Sequence, residues 1–172
     1  ILLGCLSWAT EVSIVASIPS VSEGGTTGAF TITATPTPTA ALTVQLTLTG
    51  SAQLGVDFSA NPAAPIFVTI AAGSSSTQIT ITPIQDPDAE PDETITLTVN
   101  AISGLYTANA SAGAATVTIT DDEPVLTIAK INDTLEGGST PGKFRITNAK
   151  PVGRAINVSY TLAGTAVASD YS

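Results

Sequence analysis

The chain has 172 residues, enough for one domain and part of a second. It carries 14 acids against 5 bases, a net charge of -9 that repels phosphate backbones and anionic membrane surfaces. With no His, no Met, one Cys and eight aromatic residues, it lacks the usual ligands of zinc sites, the imidazole of acid-base catalysis, an internal disulfide and the stacking platforms of single-stranded nucleic acid binders. An enzyme and a nucleic-acid partner are thereby disfavoured, and cations remain as partners.

The chain opens on Ile1-Leu2-Leu3-Gly4-Cys5, an apolar run far too brief to span a bilayer at ~20 residues. Leu2-Leu3-Gly4-Cys5 is similar to a bacterial lipoprotein signal box, in which the cysteine becomes lipid-modified; otherwise residues 1–10 are a leader remnant or a fragment edge. Beyond them, 28 threonines and a period-two alternation of apolar and polar residues predict strands, not helices. The first strand runs over about 12–18 (Val12, Ile14, Ala16, Ile18), the second over 29–35 (Phe30, Ile32, Ala34) and the third over 42–49 (Leu42, Val44, Leu46, Leu48). A fourth over 66–70, a fifth over 77–84, a sixth over 94–100 and a seventh over 114–120 follow, separated by Gly, Pro, Ser and Asn clusters. Seven alternating strands in about 110 residues predict an all-β, immunoglobulin-like, seven-stranded antiparallel β-sandwich.

The sequence then starts again. Glu23-Gly24-Gly25 recurs as Glu136-Gly137-Gly138, and Asp57-Phe58-Ser59 as Asp170-Tyr171-Ser172, both 113 residues on. Residues 11–123 read as one complete repeat and 124–172 as the first half of a second, ending after a third strand that carries Ile156, Val158, Tyr160 and Leu162. The expected context is a longer protein with neighbouring copies, joined here by Glu123-Pro124.

Charge is unevenly placed along this frame. All five bases lie between Lys130 and Arg154, while residues 1–129 hold eleven acids and no base. If successive strands alternate in direction, the turns after the first, third, fifth and seventh share one end of the sandwich. Those turns hold Glu23, Asp57, the run Asp86, Asp88, Glu90, Asp92 and Glu93, and the run Asp121-Asp122-Glu123. The opposite loops, 36–41, 71–76 and 101–113, hold no charge. Carboxylates gathered from several loops suit Ca²⁺, which takes six to eight oxygen ligands in forgiving geometry, better than Mg²⁺ with its tighter octahedron. The competing reading is a solvated acidic face.

At these residues the sequence resembles the Calx-beta family, the calcium-binding sandwich repeat known from sodium/calcium exchangers and from cell-surface and matrix proteins. Glu23-Gly24-Gly25 is similar to its Glu-rich turn, and Gly55-Val56-Asp57-Phe58 to its Gly-x-Asp-aromatic element. Asp86, Glu90, Glu93 and Thr94 follow its acidic run, and Thr116 to Asp122 its closing strand and terminal acids. The resemblance covers about 12–123 fully. It implies calcium ligands Glu23, Asp57, Asp86, Glu90, Glu93, Asp121 and Asp122. Gln85 and Glu123 stand where other members carry Asp, which implies one or two ions, and Asp88 and Asp92 are expected to face solvent. Glu136 and Asp170 match in the second copy, where Lys150 and Arg154 are candidates to bridge the junction.

The function expected is a calcium-stiffened structural or adhesive repeat of an exported or cell-surface protein, with calcium, neighbouring repeats and an unidentified surface or matrix ligand as partners. Alternatives are a regulatory calcium sensor attached to a membrane transporter, which requires affinity nearer micromolar, and a non-binding acidic spacer. A glycosidase built on Asp86 and Glu90 would lack an aromatic-lined sugar cleft.

Overall fold

A computed structural model describes residues 9–134, 137–150 and 155–165. Cys5, Glu136, Arg154, Asp170, Tyr171 and Ser172 lie outside the described residues. The chain divides into two compact units, Ile1–Asp121 and Asp122–Ser172.

The first unit contains β1 (Thr10–Ile18), β2 (Ser20–Ser22), β3 (Gly28–Thr35), β4 (Leu42–Thr49), β5 (Phe58–Asn61) and β6 (Phe67–Ile70). It continues with β7 (Ser76–Pro83), β8 (Glu93–Asn100), β9 (Tyr106–Ala108) and β10 (Ala114–Thr120). They form two five-stranded sheets, β5-β7-β3-β1-β9 and β2-β10-β8-β4-β6. All seven predicted strands are present. Three short edge strands, β2, β5 and β9, join them, and two pairings, β1 with β9 and β10 with β2, are parallel instead of antiparallel. Segments of three or four residues are too short to show an alternation, so periodicity passes over them.

The alternation decides which side chains fill the space between the sheets. Val12 and Ile14 of β1, Phe30 and Ile32 of β3, and Ile79 and Ile81 of β7 face Val44 and Leu46 of β4, Ile95 and Leu97 of β8, and Val117 and Ile119 of β10; all are buried. Each such side chain contributes roughly 1.5–3 kcal/mol by leaving water. Between them along every strand stand Thr, Ser and Gln, whose hydroxyls and amides pair across the outer face, as Thr96 Oγ1 does with Thr116 Oγ1 at 2.8 Å.

Strand direction locates the loops. β1 and β7 both run antiparallel to β3, and β4 and β10 both run antiparallel to β8. β2 takes the chain from the sheet of β1 into the other sheet, parallel to β10. The ends of β2, β4, β7 and β10 therefore share one pole.

In the second unit β11 (Leu126–Asn132) and β12 (Lys143–Asn148) pair antiparallel. Their register reproduces that of β1 and β3 with every partner 114 residues on: Ile14 opposite Ile32 becomes Ile128 opposite Ile146. Even the irregularity between Ala16 and Ile18 recurs between Lys130 and Asn132. Ile128 is 66% and Phe144 67% exposed, where Ile14 and Phe30 are 1% and 0%. The third strand expected over Ile156 to Leu162 is not formed: described residues 155–165 hold no strand. Its counterpart β4 is held between β6 and β8, and the described residues of the second unit form no equivalent of either, so among them its backbone has no ladder to join.

Candidate metal centre

Two groups of three carboxylates occupy the shared pole. The first arises because the inward alternation continues past the strand ends. Val117 and Ile119 point into the core, and Asp121 and Glu123, two and four residues further, stay buried at 4% and 6% exposure. On β2, Val21 points inward opposite Ile119, and Glu23, held by its N–H to the Thr120 carbonyl at 3.1 Å, follows it at 8%. The turn beyond is closed by the Gly25 N–H to the Ser22 carbonyl, with Gly24 at φ +56°, a left-handed conformation that favours glycine. Carboxylate oxygens of Glu23, Asp121 and Glu123 all lie within 4.8 Å of one another. The Oε2 atoms of Glu23 and Glu123 are buried and receive no hydrogen bond, while each residue keeps other interactions.

The second group is more open. Asp57 sits at the end of a turn in which its N–H reaches the Gln53 carbonyl at 3.0 Å and its Oδ2 accepts the Gln53 N–H at 2.6 Å. Buried Phe58 follows and anchors the turn in the core. Glu93 opens β8 and Glu90 lies in the loop before it; oxygens of Asp57, Glu90 and Glu93 again lie within 4.8 Å of one another. The Glu90 N–H donates to Asp121 Oδ1 at 2.9 Å, which ties the second group to the first.

Crowding shows in the proton affinities. The Asp86 charge, with loss of hydration and the charges of Asp57, Asp88 and Asp121, raises Glu90 above its ordinary value of 4.5. Burial raises Glu93, helped by the charge of Asp57 and a hydrogen bond with it, then by Glu90 and Asp86. Like charges this close favour any partner that neutralises them.

Of the residues predicted as ligands, Glu23 and Asp121 fall in the first group and Asp57, Glu90 and Glu93 in the second. Asp86 stands beside Glu90, outside both groups, with its Oδ1 accepting the Asp88 N–H at 2.8 Å. Asp122 is half-buried and joins neither group; Asp88 and Asp92 are exposed. Glu123 was not among the predicted ligands, yet it completes the buried group. Carrying the period-two pattern through 117, 119 and 121 to 123 would have found it. The donors in both groups are all hard oxygens, which fits Ca²⁺ or Mg²⁺ and not a soft transition metal.

No protein-family model and no curated protein matches the chain. Solved structures do. The crystal structure of the apo-form Calx CBD1 domain aligns over 67% of this chain and 100% of its own, at 17% identity and a TM-score of 0.52. The fold is Calx-beta-like. The crystal structure of CBD12 from CALX1.2 aligns over 68% of this chain and 48% of its own, at 17% identity and a TM-score of 0.50. At such identity the likeness concerns the fold alone, so the ligand chemistry of this Calx-beta-like sandwich rests on its own residues.

Proposed function

We propose that residues 11–123 are a calcium-binding structural module, non-enzymatic, whose ions sit among loop carboxylates at one end of a Calx-beta-like sandwich. The observation that carries this reading is the gathering of six carboxylates from four chain segments into two groups of three at a single pole. Only the folded state assembles them, because Glu23 and Glu123 are separated by a hundred residues of sequence. An ion held there stabilises that state by mass action. For a dissociation constant of ~0.1 mM, within the range of extracellular modules, ~1 mM free Ca²⁺ contributes about 1.4 kcal/mol per site.

Asp121, Asp122 and Glu123 lead within three residues to β11, so the ions stiffen the junction between consecutive copies, and neighbouring repeats are the natural partners. The setting is an exported or cell-surface protein with an adhesive or matrix role, where calcium is near millimolar, with Cys5 as the candidate point of lipid attachment. Calorimetric titration of the full chain with Ca²⁺, alongside Mg²⁺, tests the reading. Saturable binding between ~0.1 and 1 mM, preferring Ca²⁺, supports it. Half-saturation near 1 μM would favour a sensor instead, and no heat and no change in melting temperature at ~5 mM Ca²⁺ would leave an acidic spacer.

A further inference from the structure

The last ladder pair between β4 and β8 is Thr49 with Thr96, yet the chain does not leave β8 there. Beyond Gly50, Thr94 holds Ser51 and Ala52 through three hydrogen bonds. Its N–H donates to Ser51 Oγ at 2.9 Å, its Oγ1 accepts the Ser51 N–H at 3.4 Å, and its carbonyl accepts the Ala52 N–H at 3.1 Å. Gly50 makes this approach possible: its φ is +129°, and a Cβ on it would lie 2.0 Å from the Thr94 carbonyl oxygen. Thr94 is the immediate neighbour of Glu93. From Ala52 the loop passes directly into the Gln53–Asp57 turn, whose own hydrogen bonds lock the Asp57 carboxylate. A short, fully bonded path thus runs from one member of the second carboxylate group to another.

We infer that the Gly50–Ser51 clasp on Thr94 is the positioning element that sets the separation of Asp57 from Glu93, and through it the preference of this site for Ca²⁺ over Mg²⁺. The inference rests on the calcium reading of the pole. Ion choice depends on cavity size and flexibility. Like-charged carboxylates relax apart when nothing holds them, and a loosened loop contracts around the smaller ion. Ser51 touches no ion in this scheme. It acts through the backbone it fixes.

The test is calorimetric titration of the full chain with Ca²⁺ and, separately, with Mg²⁺, for the native protein and for S51A, S51T, D57N and S51A/D57N. S51A is expected to weaken Ca²⁺ binding about tenfold with Mg²⁺ binding unchanged or tighter, S51T to restore native values, and S51A to have no further effect in the D57N background. Should S51A fold poorly, T94V removes the Oγ1 that accepts the Ser51 N–H from the opposite strand and is read identically. Unchanged Ca²⁺ affinity in S51A, an equal loss for both ions, or a tenfold loss that persists with D57N overturns the inference while leaving the calcium module intact. A native chain that binds neither ion removes both.

Discussion

Replacing Asp121 by Asn takes one charge out of the buried Glu23, Asp121 and Glu123 group and keeps an oxygen for the Glu90 N–H. Two ionised carboxylates 4.8 Å apart repel by about 3.5 kcal/mol at an effective dielectric near 20, and Asp121 takes part in two such pairs. Relaxation and the other interactions of these residues reduce the figure, so the ion-free variant is expected to gain about 1–2 kcal/mol, a rise of roughly 4–8 °C in melting temperature. Calcium acts in the opposite sense. The native chain gains about 1.4 kcal/mol per site at ~1 mM ion with a constant of ~0.1 mM, whereas a site with one ligand neutralised gains only a few tenths. Scanning calorimetry of both proteins in chelator and in ~5 mM Ca²⁺ measures the two terms together: the variant melts higher in chelator, and the gap closes or reverses in calcium. If D121N melted lower than the native chain in chelator and kept the full calcium shift, charge repulsion would not be what the ion relieves, and the reasoning would fail.

Two further outcomes follow from named groups. Glu90 and Glu93 are raised above 4.5, so the folded state binds their protons more tightly than the unfolded chain does. Their contribution is complete below about 4.5 and is lost as pH rises through the raised values, so the ion-free melting temperature should climb on acidification from pH 7 towards 4.5 while the calcium increment shrinks. Melts in metal-stripped buffers check this, and a steady fall of the ion-free midpoint over that window would count against it. At the far pole, Tyr106→Phe deletes the Oη that accepts the Gln45 N–H at 2.8 Å. It should cost about 1–2 kcal/mol in urea unfolding with an unaltered slope, and leave the calcium shift untouched.

Much of the first unit was legible before any coordinates because the alternation that names a strand also names its buried face. Val12, Ile14, Phe30, Ile32, Ile95, Leu97, Val117 and Ile119 were placed by that pattern, and all lie in the core. The pole of the acids was legible for the same reason: alternating strand direction is enough to bring the turns holding Glu23, Asp57, residues 86–93 and Asp121 to one end. The second unit pairs β11 with β12 in the register of β1 with β3, at an offset of 114 residues, beside an expected copy whose recurring Glu-Gly-Gly motif lies at an offset of 113.

What strand parity leaves open is distance within the pole. Whether Asp86 or Glu123 joins a group of carboxylates depends on turns that close over a few residues, on β2 crossing into the opposite sheet beside β10, and on Ser51 reaching Thr94 across 43 residues of sequence. None of these has a local periodic signature. They are set by pairings between segments remote in the chain, each possible only once the others have formed. Local chemistry therefore determined which faces are wet, which are dry and at which end the charge collects; tertiary packing alone decided which carboxylates come within 4.8 Å and which stand aside.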